Sequence, residues 1–292
     1  MLGTISMRQN QQSIPDDLRC KEEGLRASIR GMESVIVAFS AGVDSTYLAV
    51  LAADELGDRA LAVTATSPSF PERELAEART LATELGIRHR VISSNELAYP
   101  DYANNPKSRC YHCKTELYGL MRKLADREGY AHILDGTNLD DDGDYRPGKK
   151  AQREQRVDSP LRDHGFTKND IRHASAALGL QTADKPAFAC LASRFPYGIT
   201  ITRDALYQVD RAESGLRALG FGQLRVRVHD DVARVELDPD EIPRALEPEL
   251  RDRMVDVLKQ CGYRYVTLDL QGYRQGSLNE VFKRLEKVPP LA

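Results

Sequence analysis

The chain has 292 residues, a formal net charge of −3, and 41% apolar and 29% charged residues, the makeup of a globular protein long enough for two cores. That balance excludes a chiefly electrostatic nucleic-acid binder, and no apolar run reaches the length of a membrane span or a signal-peptide core, so a cytoplasmic protein with local anion sites is expected. Five cysteines without an export signal read as thiols or metal ligands rather than as a disulfide framework.

Residues 1–16, polar and rich in Gln and Ser, read as a flexible tail. From 17 to 185, apolar runs at 35–39, 60–65, 89–92 and 132–134 alternate with helical patterns, which predicts a parallel α/β sheet. One helix is expected at 71–85, where Leu75, Ala78, Leu81, Ala82 and Leu85 share a face between Pro71 and Gly86, and another at 114–128. The first strand, through Ala38 and Phe39, runs into Ser40-Ala41-Gly42-Val43-Asp44-Ser45 and then a helical stretch from Thr46. A buried strand ending in small residues turns backbone N–H groups toward an anion, and the following helix adds the positive end of its dipole. Ala38, Ser40, Gly42, Asp44 and Ser45 are therefore candidate nucleotide-binding residues. No Gly-Lys-Ser/Thr follows, which excludes the P-loop of kinases and GTPases. Ligands of such a sheet bind beyond the carboxyl ends of its strands, so the Ser40 loop, the region after Ala65 and the turn Asp135-Gly136-Thr137-Asn138 should line one crevice, with Gly136 at the ATP.

Cys110-Tyr111-His112-Cys113 stands just before the predicted helix 114–128. Its spacing suits one metal centre, yet zinc, a redox dithiol, a cluster and two incidental thiols all remain open, with His112 a possible further zinc ligand. Cys20 and Cys261 have no patterned neighbours and read as incidental. Gly143 and Gly148-Lys149 have Walker A spacing, but Lys150 replaces the Mg²⁺-binding hydroxyl and no strand leads in, which excludes a P-loop there. The acidic run Asp140-Asp141-Asp142 is either a solvated turn or a Mg²⁺- or substrate-positioning element.

Residues 186–201 read as a linker carrying Cys190 and Ser193-Arg194-Phe195-Pro196-Tyr197-Gly198. From 202 to 292 a smaller α+β domain is predicted: helix 203–219, strands 224–229 and 232–237 about an Asp230-Asp231 turn, helix 247–260 and strand 265–270. Arg225 and Arg227 alternate with Leu224, Val226 and Val228, so both project from one face. With Arg194 they suit an anionic substrate, the alternative being a solvent-facing strand.

The Ser40 loop resembles the SGGxDS motif of the PP-loop ATP pyrophosphatases, with Ala41 where that family usually has Gly, so a positive φ there would carry strain. Taken with Leu134-Asp135-Gly136-Thr137-Asn138, Asp144-Tyr145-Arg146-Pro147-Gly148, the Ser193–Gly198 run, Arg225-Val226-Arg227 and Tyr265-Val266-Thr267-Leu268-Asp269-Leu270, it resembles the LarE family. These are ATP-dependent sulfurtransferases that help build the nickel-pincer cofactor of lactate racemase. The resemblance implies adenylation of pyridinium-3,5-biscarboxylic acid mononucleotide and conversion of its carboxylates to thiocarboxylates. It further implies release of AMP and pyrophosphate, Mg²⁺ at Asp44, Lys114 against charge on the α-phosphate, and a homo-oligomer. Cys110, Cys113 and Cys190 match the three-cysteine pattern that holds a [4Fe-4S] cluster whose fourth iron carries sulfide, supplied by a donor the sequence does not name. The family's other style sacrifices the sulfur of a single cysteine. Within the same ATP chemistry a tRNA thiolase and an amide-forming ligase are the alternatives, and a nucleotide sensor is the non-enzymatic one. The acidic balance weighs against a nucleic-acid substrate.

Overall fold

The computed structural model describes residues 14–143, 148–186, 189–274 and 276–279. Most of the expected tail, the Asp144-Tyr145-Arg146-Pro147 run of the LarE resemblance and the chain's last residues lie outside the described residues. In chain order the elements are α1 (Asp16–Arg30), β1 (Val35–Ala38), α2 (Val43–Leu56), β2 (Ala60–Thr66), α3 (Glu72–Glu84), β3 (His89–Ser93), α4 (Pro100–Ala103), α5 (Arg109–Glu128), β4 (His132–Leu134), α6 (Gly148–Glu154), α7 (Pro160–Asp163), α8 (Lys168–Ala177), α9 (Arg203–Ala218), β5 (Leu224–His229), β6 (Val232–Leu237), α10 (Ile242–Ala245), α11 (Pro248–Gln260) and β7 (Tyr265–Leu268). Two compact units form, one from residues 1–96 and 108–188, the other from 97–107 and 189–292. None of the described helices is long and apolar enough to cross a membrane.

The first unit is the expected parallel α/β domain, with strand order β3-β2-β1-β4. Alternation along β1 shows why both faces must be covered: Val35 and Val37 join the core formed with α1, α2, α3 and α8, while Ile36 joins the core under α5 and α6. Fully apolar strands of this kind are stable only between two helical layers. Each aliphatic side chain so buried contributes roughly 1.5–3 kcal/mol of transfer free energy. β2 and β3 lie on one side of β1 and β4 on the other. The chain therefore changes direction at β1, and the crevice beyond the ends of β1 and β4 is where such sheets bind ligands.

The second unit is the smaller α+β body that the sequence predicts. β5 and β6 form an antiparallel hairpin, and β7 joins β6 in parallel. Asp230, in the two-residue turn, has φ 53°, a left-handed conformation that Asp tolerates better than most residues. Leu224, Val226, Val235 and Leu237 pack with Ala212, Leu216, Met254 and Leu258 of the helices. The segment 97–107 belongs here because Asn105, fully buried with φ 52°, pins the chain after Cys190. Its amide donates to the Phe195 and Pro196 carbonyls at 3.3 and 2.7 Å, and its own carbonyl accepts from Gly198 N–H at 2.9 Å. Of the segment 186–201 expected as a linker, residues 189–201 cluster with this unit.

Candidate functional site

At the end of β1 the chain turns through Ser40 and Ala41 into α2, with Gly42 as its N-cap. Ser45 ties the loop together: its Oγ accepts from Ser40 N–H at 3.2 Å, lies 3.1 Å from Ser40 Oγ and donates to the Gly42 carbonyl at 3.2 Å. Ala41 is fully buried with φ 54°, the left-handed conformation that the family's usual glycine would adopt without strain. Across the crevice, a Cβ on Gly136 would lie 3.1 Å from both Asp44 Cβ and Ser45 N. Glycine there lets the turn after β4 sit against the first turn of α2.

Asp44 meets Lys168, the first residue of α8, with Nζ 2.6 Å from Oδ2, and Asn138 Nδ2 lies 3.4 Å from Oδ1. Burial, helped by the charge of Asp141, pushes the Asp44 carboxyl above its ordinary range in spite of Lys168. The acidic run is organised rather than merely solvated: Asp140 accepts from Lys168 N–H at 2.8 Å, Asp141 from Asn138 N–H at 3.1 Å, and Asp142 pairs with Lys149 at 3.1 Å.

The two cysteines of the C-x₂-C pair lie inside α5, not before it, since the helix starts at Arg109. Cys110 is exposed and Cys113 half-buried. Their i, i+3 spacing places both on one side of the first turns of the helix. Lys114 follows, with Nζ 3.9 Å from Asp135 Oδ2 and 5.6 Å from the Tyr118 ring. Asp135, almost fully buried, accepts from the hydroxyls of Tyr118 at 2.7 Å, Ser159 at 2.7 Å and Thr137 at 2.9 Å. Burial and the Asp135 carboxylate raise the Tyr118 phenol well above its usual range, so it stays a donor.

In the second unit the structure brings Cys190, Arg194, Arg225 and Arg227 together. Cys190 caps a single turn running to Arg194. Its carbonyl accepts from Ser193 N–H at 3.0 Å, Ser193 Oγ at 2.8 Å and Arg194 Nη1 at 2.9 Å. Arg194 also donates to the Ala189 carbonyl at 2.6 Å and grips Glu213 through Nε and Nη2 at 2.8 and 2.9 Å. Burial alone would raise the Glu213 carboxyl, but Arg194, with help from Arg217 and Arg225, holds it down at about 2. Arg227 donates to the Ser193 carbonyl at 2.8 Å and to Glu236 and Ser277 at 2.9 Å. Arg225 differs: it is 6% exposed, donates to the Leu224 carbonyl at 2.7 Å and lies 5.0 Å from the Tyr273 ring. Burial and the neighbouring Arg194 push it down to about 10. The nearby Glu213 carboxylate acts in the opposite direction without cancelling that effect.

Lys168 and Glu213 were not singled out in the sequence. Thr167 and Asp170 form a capping box, a legible helix start that would have placed Lys168 at an N-terminus. Glu213 interrupts the apolar stripe Leu206, Val209, Leu216 of α9, and an acid on a core stripe signals a buried partner.

Among the described residues, no group of three Cys, His, Asp or Glu is assembled as metal ligands. The donor chemistry of Cys110, Cys113 and Cys190 nonetheless suits iron–sulfur ligation, three thiolates leaving one iron position open.

A parallel sheet whose first strand feeds a small-residue loop and Asp44 into a helix at the switch point defines a PP-loop ATP pyrophosphatase domain. A family model described as NAD synthase matches residues 21–108. The chain is 39% identical over 270 residues, 92% of its own length and 97% of the relative's, to pyridinium-3,5-bisthiocarboxylic acid mononucleotide synthase of Lactiplantibacillus plantarum. It is 44% identical over 267 residues to an uncharacterized protein of Synechocystis sp., covering 91% of this chain and 100% of that one. An uncharacterized protein of Methanocaldococcus jannaschii is 27% identical over 242 residues, 83% of this chain and 91% of the relative. The chain belongs to the LarE family.

Proposed function

We propose that the protein uses ATP to adenylate a carboxylate of pyridinium-3,5-biscarboxylic acid mononucleotide and converts it to a thiocarboxylate. The observation that carries this reading is the Ser40 loop with Asp44 and Lys168 at the end of β1, in a chain that aligns almost end to end with a bisthiocarboxylate synthase. A substrate carboxylate oxygen attacks the α-phosphorus, the α–β P–O bond breaks and pyrophosphate leaves. Sulfur then attacks the acyl carbon, the C–O bond to AMP breaks and AMP departs. Adenylation matters because a carboxylate oxygen is a poor leaving group and AMP a good one.

The Ser40 loop and the N-terminus of α2 hold the phosphates, Lys114 meets charge on the α-phosphate, and Lys168 is the ammonium placed for the departing pyrophosphate. Mg²⁺, when bound at Asp44, neutralises that leaving group. Arg225, with Arg227, binds the substrate's anionic groups, while Arg194 holds the Cys190 loop. Cys110, Cys113 and Cys190 would hold the [4Fe-4S] cluster, which when bound supplies an open iron position for sulfide.

The NAD synthase match favours an amide-forming ligase only for residues 21–108, which carry the Ser40 loop and Asp44 but not Lys114 or Lys168. The deciding experiment is anaerobic incubation with ATP, Mg²⁺, sulfide and the biscarboxylate. AMP, pyrophosphate and a product with oxygen exchanged for sulfur are expected. ADP and phosphate as the substrate-dependent products, or a requirement for ammonia or tRNA, would overturn the reading.

A further inference from the structure

Gly148 opens α6, yet its backbone gives no reason for glycine. Its φ is not in the left-handed region, and a helix favours alanine over glycine. The reason lies in a neighbour. A Cβ at 148 would lie 2.4 Å from Lys114 Cδ, 3.1 Å from Cε and 3.3 Å from Cγ. Carbon atoms in contact stand about 3.5–4.0 Å apart, so the lysine stem occupies the space a side chain at 148 would need. Running past Gly148, the stem delivers Nζ to 3.9 Å from Asp135. Asp135 adjoins Gly136, which abuts Asp44 and Ser45.

We propose that Gly148 is a positioning residue for Lys114: its missing side chain is the slot that aims the ammonium at the end of β4, beside the phosphate loop. The effect on catalysis rests on the reading of Lys114 as the α-phosphate contact. The slot itself does not.

The test is Gly148→Ala in the full-length protein. Its Tm should change little, because alanine suits the helix and the overlap falls on a flexible lysine stem that can swing aside. Pyrophosphate release with the biscarboxylate should nevertheless fall on the order of 10- to 100-fold in kcat, as a misplacement of about 1 Å can cost that much. KM for ATP should move little, since the Ser40 loop holds the nucleotide. Acylation of Lys114 by a small N-hydroxysuccinimide ester, read by peptide mass spectrometry, should speed up several-fold as the ammonium swings away from Asp135. In a Lys114→Ala background, Gly148→Ala should cost nothing more, and this double variant, lacking the obstructing stem, should fold even if the single one does not. Unchanged Lys114 labelling, or an equal further loss in the double variant, would overturn the slot. A wild-type rate in Lys114→Ala alone would instead overturn the catalytic assignment of Lys114 and leave the labelling to decide the slot.

Discussion

Replacing Arg225 and Arg194 by Met should have very unequal consequences for stability. Arg225, 6% exposed, is held at about 10 against an ordinary 12.5, which corresponds to a penalty on the order of 3 kcal/mol for keeping the cation in place. Met removes that penalty and keeps most of the aliphatic stem. It loses the hydrogen bond to the Leu224 carbonyl and the contact with Tyr273, together worth about 2–3 kcal/mol. Arg225→Met should therefore lie within about 1 kcal/mol of the wild type. Arg194→Met strips a doubly bonded partner from Glu213, which is 1% exposed, and should cost about 3–5 kcal/mol. Urea unfolding of the full chain at neutral pH measures both. Arg225→Met should also weaken binding of the pyridinium biscarboxylate mononucleotide by roughly tenfold or more, leaving ATP affinity intact. An Arg225→Met protein as destabilised as Arg194→Met, or one that loses ATP affinity instead, would refute the reasoning.

Ala41→Gly relieves a left-handed alanine, worth about 1–2 kcal/mol, but loses a buried methyl of about 0.8 kcal/mol and frees the unfolded chain by about 0.4–1 kcal/mol. Thermal melts should show a net change within about 1 kcal/mol, with activity kept. Glu213 titrates at about 2 in the fold against an ordinary 4.5, so its stabilisation is complete above pH 4.5 and is lost as pH falls toward 2. Acid titration of the folded protein should show that loss, on the order of 3 kcal/mol, and Glu213→Gln should flatten it. Anaerobically purified Cys110→Ser, Cys113→Ser and Cys190→Ser proteins should each lose most of their iron and labile sulfide. Cys20→Ala and Cys261→Ala should lose none, burial having pushed the Cys261 thiol up and away from thiolate. An iron-free, active protein with dehydroalanine at Cys190 would point to the sacrificial route. Asp44→Ala should abolish pyrophosphate release while leaving the far-UV spectrum intact, because the side chain belongs to the crevice and not to the core.

Strand positions were legible because β1, β2 and the β5–β6 hairpin are apolar runs bounded by turns, and hydrophobic period and turn chemistry are local signals. The start of α5 was not: its first two turns carry Cys110, His112 and Lys114 with no apolar stripe, and Ser108 makes no capping bond. Alternation along β5 placed Arg225 and Arg227 on one face, but their burial depends on Tyr273 and Glu236, partners that adjacency in sequence does not reveal. The role of Arg194 was hidden for the same reason. Its acceptor Glu213 lies nineteen residues on, and a guanidinium bound to a carboxylate of its own chain reads in sequence like one awaiting a ligand.

The Asn105 clasp bears on how this protein can be cut and assembled. The stretch 97–107 leaves the ribosome well before residues 189–292, so the second unit cannot be completed by a contiguous piece of chain. A fragment starting at 189 would lack the amide that fastens Phe195 and Pro196. Its Cys190 loop would lose an anchor even with every residue of that loop present. Tandem-domain engineering, in which one unit is exchanged between relatives at a single junction, would split this clasp. A working chimera must carry 97–107 from the same parent as 189–292, and a synthetic peptide spanning 97–107 is the natural complement for the severed fragment.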